Sequence, residues 1–162
     1  MHYRNNLLMV SLLIIMMAAV LFAGCGGPSV KEYKKKALEI HTMTGEKISL
    51  IMMDLSEADI TSDEEGIAVF ESGFEEGLKI VEANHDSLQG LDVPSQAEEV
   101  HAELLDLYQE TADVFEGLLV SLETLDTSDQ ASMDQFLEGM YDLQDVGEKG
   151  SEMVDKIEAL QE

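Results

Sequence analysis

Four times along this chain a hydroxyl residue is followed three places later by Glu or Gln, and each time an apolar repeat at steps of three and four comes next. The pairs are Ser29 with Glu32, Ser62 with Glu65, Ser95 with Glu98 and Thr127 with Gln130. In such a box the hydroxyl accepts a free backbone N–H of the first helical turn, and the longer side chain reaches back to the cap. The first repeat runs Ala37, His41, Thr44, Ile48, Ile51, Leu55, and the second Ile67, Phe70, Phe74, Gly77, Val81, Asn84, Leu88, Leu91. The third runs Ala97, His101, Leu104, Tyr108, Thr111, Phe115, Leu118, Leu122, Leu125, and the fourth Met133, Phe136, Met140, Leu143, Gly147, Gly150, Val154, Ile157. This spacing is the buried stripe of a helix packed at a small crossing angle. No stretch alternates with a period of two.

Connections are predicted near residues 59–62, 92–94 and 126–128, and links that short make successive helices antiparallel. The expected fold is therefore all-α: an up-down-up-down four-helix bundle over residues 30–162, with no second domain. Gly45, Gly73, Gly77, Gly117, Gly139, Gly147 and Gly150 fall inside these helices, each at about 1 kcal/mol relative to alanine. They imply close backbone approach at Gly77, Gly147 and Gly150, or a soft fourth helix; the segment 147–150 is expected to be soft.

Ahead of the bundle, Arg4 is followed by an unbroken apolar run from Leu7 to Ala23, closed by small residues. That order reads as a secretory signal over residues 1–24. The run ends Leu21-Phe22-Ala23-Gly24-Cys25, which resembles the lipobox of bacterial lipoproteins. The resemblance implies cleavage before Cys25, lipidation of that residue, and an extracytoplasmic protein held to a cell membrane by acyl chains. Residues 25–29 would be the lipidated cysteine and its tether. As the sole cysteine, Cys25 has no partner for an intramolecular disulfide. An uncleaved membrane helix fits less well, because Lys31, Lys34, Lys35 and Lys36 follow the run and would leave its far side cytoplasmic.

The formal net charge is −25, and the one basic residue before Cys25 is Arg4, so the body beyond is more negative still. It holds no arginine, and four of its eight lysines sit between Val30 and Ala37, beside the expected anchor. Such a stem adds roughly 1 kcal/mol per lysine at an anionic bilayer, or is simply a solvated helix start. The acidic body would repel phosphates, so nucleic acid is not an expected partner. It is compatible with a protein partner of cationic surface, with divalent ions or with a salty habitat, and most often such a surface simply keeps a protein soluble.

Catalytic patterns are missing: no Gly-x-Ser-x-Gly, no His-Glu-x-x-His and no phosphate-binding glycine loop. The segment from Asp54 to Glu65 has Asp59 where a calcium loop needs glycine. The expected function is thus non-enzymatic: a binding, accessory or spacer lipoprotein of the cell envelope. An alternative rests on histidine. His41, His85 and His101 are predicted near one layer, with His41 opposite about residue 81, His85 opposite about residue 100, and His101 near Glu152 and Asp155. Glu82 with His85 and Glu98 with His101 share the Glu-x-x-His spacing, which resembles the metal-binding element of di-iron bundles. His41, Glu82, His85, Glu98 and His101 are therefore candidate ligands of a divalent metal. The competing readings are a polar layer of His41, Asn84 and His101 that fixes helix register, or a pocket for an organic ligand. The methionines, including Met43, Met52, Met53, Met133, Met140 and Met153, read as core filler, and Tyr108 and Tyr141 as packing residues.

Overall fold

The computed structural model describes residues 28–161. Four helices, α1 (Val30–Glu57), α2 (Asp63–Gln89), α3 (Glu98–Glu123) and α4 (Gln130–Ala159), fill it, with a 3-10 turn at Ser95–Ala97 leading into α3. Each helix packs on the next and α4 closes on α1, so α1 and α3 are diagonal partners. The chain is thus an all-α four-helix bundle. Among the described residues no helix is long and apolar enough to cross a membrane. The expected signal at residues 1–24, Cys25, Gly26 and Gly27 lie outside the described residues.

In two of the four capping boxes the hydroxyl half forms. Ser29 Oγ accepts the Glu32 N–H at 3.2 Å, and Ser62 Oγ accepts the Glu65 N–H at 3.3 Å. Glu65 in turn takes the N–H and hydroxyl of Thr61, at 3.1 and 2.6 Å, which hold its carboxyl below the usual range. The other two boxes are replaced by turn chemistry. Pro94 caps the 3-10 turn, Ser95 Oγ contacts Gln96 Oε1 instead, and α3 starts behind Ala97 without a side-chain cap. Thr127 donates to Asp63 Oδ2 at 2.7 Å, tying the start of α4 to the start of α2. Asp126 accepts both the N–H and the hydroxyl of Ser128, at 2.9 and 2.6 Å, an Asx turn that delays the helix to Gln130.

The predicted stripes of α1, α2 and α3 face the interior throughout. On α4 the stripe departs from its reading over one heptad: Gly147 is exposed, and Val146 and Met153 are buried. Larger apolar side chains one step away take the core positions, because burying them removes more apolar surface from water. Met43 and Met53 are exposed rather than core filler. Tyr33, one step ahead of the first predicted stripe, is 1% exposed.

An aromatic cluster lies towards the α1–α2 and α3–α4 turns. Phe70, Phe74, Phe115 and Phe136, from three helices, stack at centroid separations of 5.7 to 6.4 Å. Gly77 permits this: a Cβ there would lie 2.6 Å from the Phe115 ring. At the opposite end Lys34 crosses from α1 and donates to the carbonyls of Glu158 and Leu160, at 2.7 and 3.0 Å. A cation at the last carbonyls satisfies acceptors that the helix leaves open. Of the four stem lysines, Lys34 is therefore part of the fold, while Lys31, Lys35 and Lys36 are exposed.

Candidate functional site

Two polar layers cross the bundle on its diagonal. In the lower one, nearer the start of α1, Tyr33 of α1 puts its hydroxyl 3.2 Å from His101 Nδ1 on α3, ring edge against ring face. Burial raises the Tyr33 phenol to about 12 and lowers the His101 imidazole, so the neutral forms of both are favoured and share one hydrogen bond. In the upper layer the residue types swap helices. Tyr108 of α3 donates to Thr44 Oγ1 of α1 at 2.9 Å, and its oxygen lies 3.4 Å from His41 Nδ1. Burial raises Tyr108 to about 12, partly opposed by the Thr44 hydrogen bond. Thr44 passes its own proton to the Ile40 carbonyl at 2.7 Å, and His41 Nε2 donates to the Gly150 carbonyl at 2.8 Å. Among the described residues no buried side-chain nitrogen or oxygen lacks a partner.

Above this upper layer the α1–α4 seam opens. The cause is the small residues that face each other across it: Gly45 and Ser49 on α1, and Gly147, Gly150 and Ser151 on α4. A Cβ at Gly45 or Gly147 would meet nothing within 4 Å, and one at Gly150 would meet only the His41 ring at 3.6 Å. Close approach, the alternative to a soft segment at 147–150, is therefore not what Gly147 and Gly150 provide; of the three, Gly77 alone is pressed. They leave a cleft of about 310 Å³, at the low end of the ~300–1,000 Å³ range of small-molecule sites. Its body is apolar, formed by Ile48, Val81, Leu107, Leu143, Val146 and Val154. His41, Thr44, Tyr108 and Thr111 supply polar atoms along it, while Thr42, Ser49 and Ser151 are exposed residues of the lining. No Lys, Arg, Asp or Glu lines it.

The candidate metal ligands are distributed as follows. His41 belongs to the upper layer and His101 to the lower, two turns or about 10 Å apart along α3 from Tyr108 to His101. His85 lines a separate groove between α2 and α3 with Glu82, Asp86, Tyr108 and Gln109. Residue 85 was expected opposite about residue 100, but Phe115 against Gly77 sets a register that brings it level with Tyr108. The 3-10 turn and its approach lengthen the α2–α3 connection and produce that shift. Glu82 and Glu98 are exposed, and Tyr33, not Glu98, takes the His101 ring. Among the described residues no group of three or more His, Cys, Asp or Glu side chains stands close enough to hold one ion.

Sequence reasoning found His41 and His101 facing inward but missed their tyrosine partners, which lie across the diagonal where no short-range pattern reports a pairing. It noted the glycines of α1 and α4 without seeing that they face one another. No family model matches the chain, and no curated protein or solved structure is detectably similar to it.

Proposed function

We propose that this chain is a lipid-anchored, extracytoplasmic binding protein of the cell envelope, without enzymatic activity, whose ligand occupies the α1–α4 cleft. The observation that carries the reading is the cleft itself. An apolar cleft of about 310 Å³ opens along the α1–α4 seam, and unlike the grooves beside α3 it is lined by no charged side chain. Interiors are ordinarily packed to crystal density, so a sizeable apolar hollow with a few convergent polar groups is the default binding site. The histidines and tyrosines support binding over catalysis, because their protons are engaged with one another and with backbone carbonyls. The anchor rests on the lipobox resemblance ending at Cys25.

The test has two arms, both on the full chain. Cys25→Ser is expected to abolish incorporation of labelled fatty acid and to release the protein from membranes; a variant that stays lipidated sinks the anchor. In the second arm 2-phenylethanol is titrated into protein purified in non-ionic detergent, with the methyl NMR signals of Val146 and Val154 as the readout. Saturable shifts at one site are expected, and they should vanish in Gly45→Leu/Gly147→Leu, whose side chains fill the cleft. Shifts that survive in the filled protein would falsify the cleft as the binding site.

A further inference from the structure

Resting on that cleft, the donor and acceptor inventory of its walls goes one step further. We infer that the cleft selects an organic cation, a small apolar amine whose ammonium group sits at the mouth while its hydrocarbon part fills the interior.

Five polar groups of the lining donate their hydrogen bonds to the protein itself. Thr44 donates to Ile40 O at 2.7 Å, Thr111 to Leu107 O at 2.7 Å, and Ser151 to Gly147 O at 3.3 Å. Tyr108 donates to Thr44, and His41 Nε2 to Gly150 O. A hydroxyl has one proton and two lone pairs, so Thr111 and Ser151 keep lone pairs free for a ligand, whereas the remaining capacity of Thr44, Tyr108 and His41 is turned on one another. Thr42 and Ser49, exposed, donate or accept equally well. A carboxylate or phosphate would find neither a cation nor a committed donor in the cleft, and would lose its hydration without replacement. An ammonium group carries only donors and finds acceptors.

Charge points the same way. Exposed Glu46, Glu148 and Glu152 each follow directly on a lining residue, Gly45, Gly147 and Ser151. Of the lysines in the same stretches, Lys149 is paired with Glu110 at 2.5 Å, which leaves Lys47 against three carboxylates. The whole chain carries −25, and a field of that sign raises the local concentration of cations at a cleft. Keeping the charged head at the mouth preserves its hydration, as lysine side chains do when their stems are buried.

Three probes with one skeleton separate this inference from the cleft reading. The full chain is titrated with 2-phenylethylammonium, 2-phenylethanol and phenylacetate at low salt, following the Val146 and Val154 methyls. The ammonium is expected to bind at one site at least about tenfold more tightly than the alcohol, phenylacetate not measurably, and the gap to narrow as salt screens the field. Gly45→Leu/Gly147→Leu should lose all three, and both glycines stand in open space, so the fold tolerates the change. Alcohol and ammonium binding equally, or phenylacetate binding as well as either, overturns cation selection and leaves the cleft standing. Ammonium that binds the filled variant undiminished is adsorbed on the acidic surface, and overturns it too.

Discussion

A methyl group at Gly77 would meet the Phe115 ring at 2.6 Å, whereas one at Gly45 or Gly147 would meet nothing within 4 Å. The same residue type thus does opposite things in two regions of one bundle. Between α2 and α3, glycine lets a large ring seat against bare backbone, so the aromatic cluster forms at full density. Between α1 and α4, glycine and serine fail to fill the seam and a cleft results. The lesson is that a helix-interior glycine, unfavourable by about 1 kcal/mol on propensity alone, has to be judged by what lies across from it. On one side it lets a ring close onto the backbone; on the other it leaves space open.

The contrast breaks most visibly at Gly77. Gly77→Ala gains about 1 kcal/mol of helix propensity, but overpacking a filled core costs typically about 1–3 kcal/mol. Phe115 is fully buried and has Phe74 beside it at 6.2 Å, so its ring has little room to yield. The clash should win, with a net loss of up to roughly 2 kcal/mol in urea unfolding. An unchanged or higher midpoint would mean that the close approach at this position is relieved at no cost.

Gly147→Ala is the mirror experiment. The position is exposed, helical and open, so the propensity gain of about 1 kcal/mol should appear almost undiminished. A destabilised variant would show that the expected softness at 147–150 is required for folding, and that open space is not the reason for the glycine. Tyr108→Phe then tests the polar wall of the cleft. It removes the donor to Thr44 and the oxygen facing His41 while keeping the ring, so a loss of about 0.5–1.5 kcal/mol is expected. A double-mutant cycle with Thr44→Val should recover much of it if the two hydroxyls act on each other.

The fold was legible because a 3–4 repeat fixes which residues face inward whatever they touch. His41, Leu88, Leu104 and Phe115 could all be assigned to the interior from spacing. Axial register was not legible to the same depth. The 3-10 turn at Ser95–Ala97 displaces α3 relative to α2, and a box-like Ser95 with Glu98 hid that displacement. Since a cross-helix site depends on register, the His85–His101 level was misjudged, and the Tyr33–His101 pair could not be anticipated. On α4 the choice between Gly147 and Val146 was decided by bulk, since two adjacent stripes fitted the period equally well.

The smallest expected effect belongs to the lower layer and to pH. Burial lowers the His101 imidazole below its ordinary 6.5, so between that value and the lowered one the unfolded chain binds more protons than the native protein. Stability must therefore fall as the pH drops through this window, and the contribution is fully present above it. Relief of repulsion among the 34 acidic side chains acts in the opposite sense, but mostly lower, where carboxylates titrate near 4. Comparing the protein with His101→Gln isolates the first effect, because both share the carboxylates and Gln still offers Tyr33 an acceptor. The difference in urea midpoint should be flat from pH 7 to 8 and should turn against the histidine protein below about 6.5, where imidazole begins to titrate. A difference that stayed flat down to pH 5 would mean that His101 takes up its proton as readily in the fold as in the open chain. The lower layer would then be as hydrated as the cleft above it, and the contrast between a sealed interior and an open seam would shrink to the aromatic cluster alone.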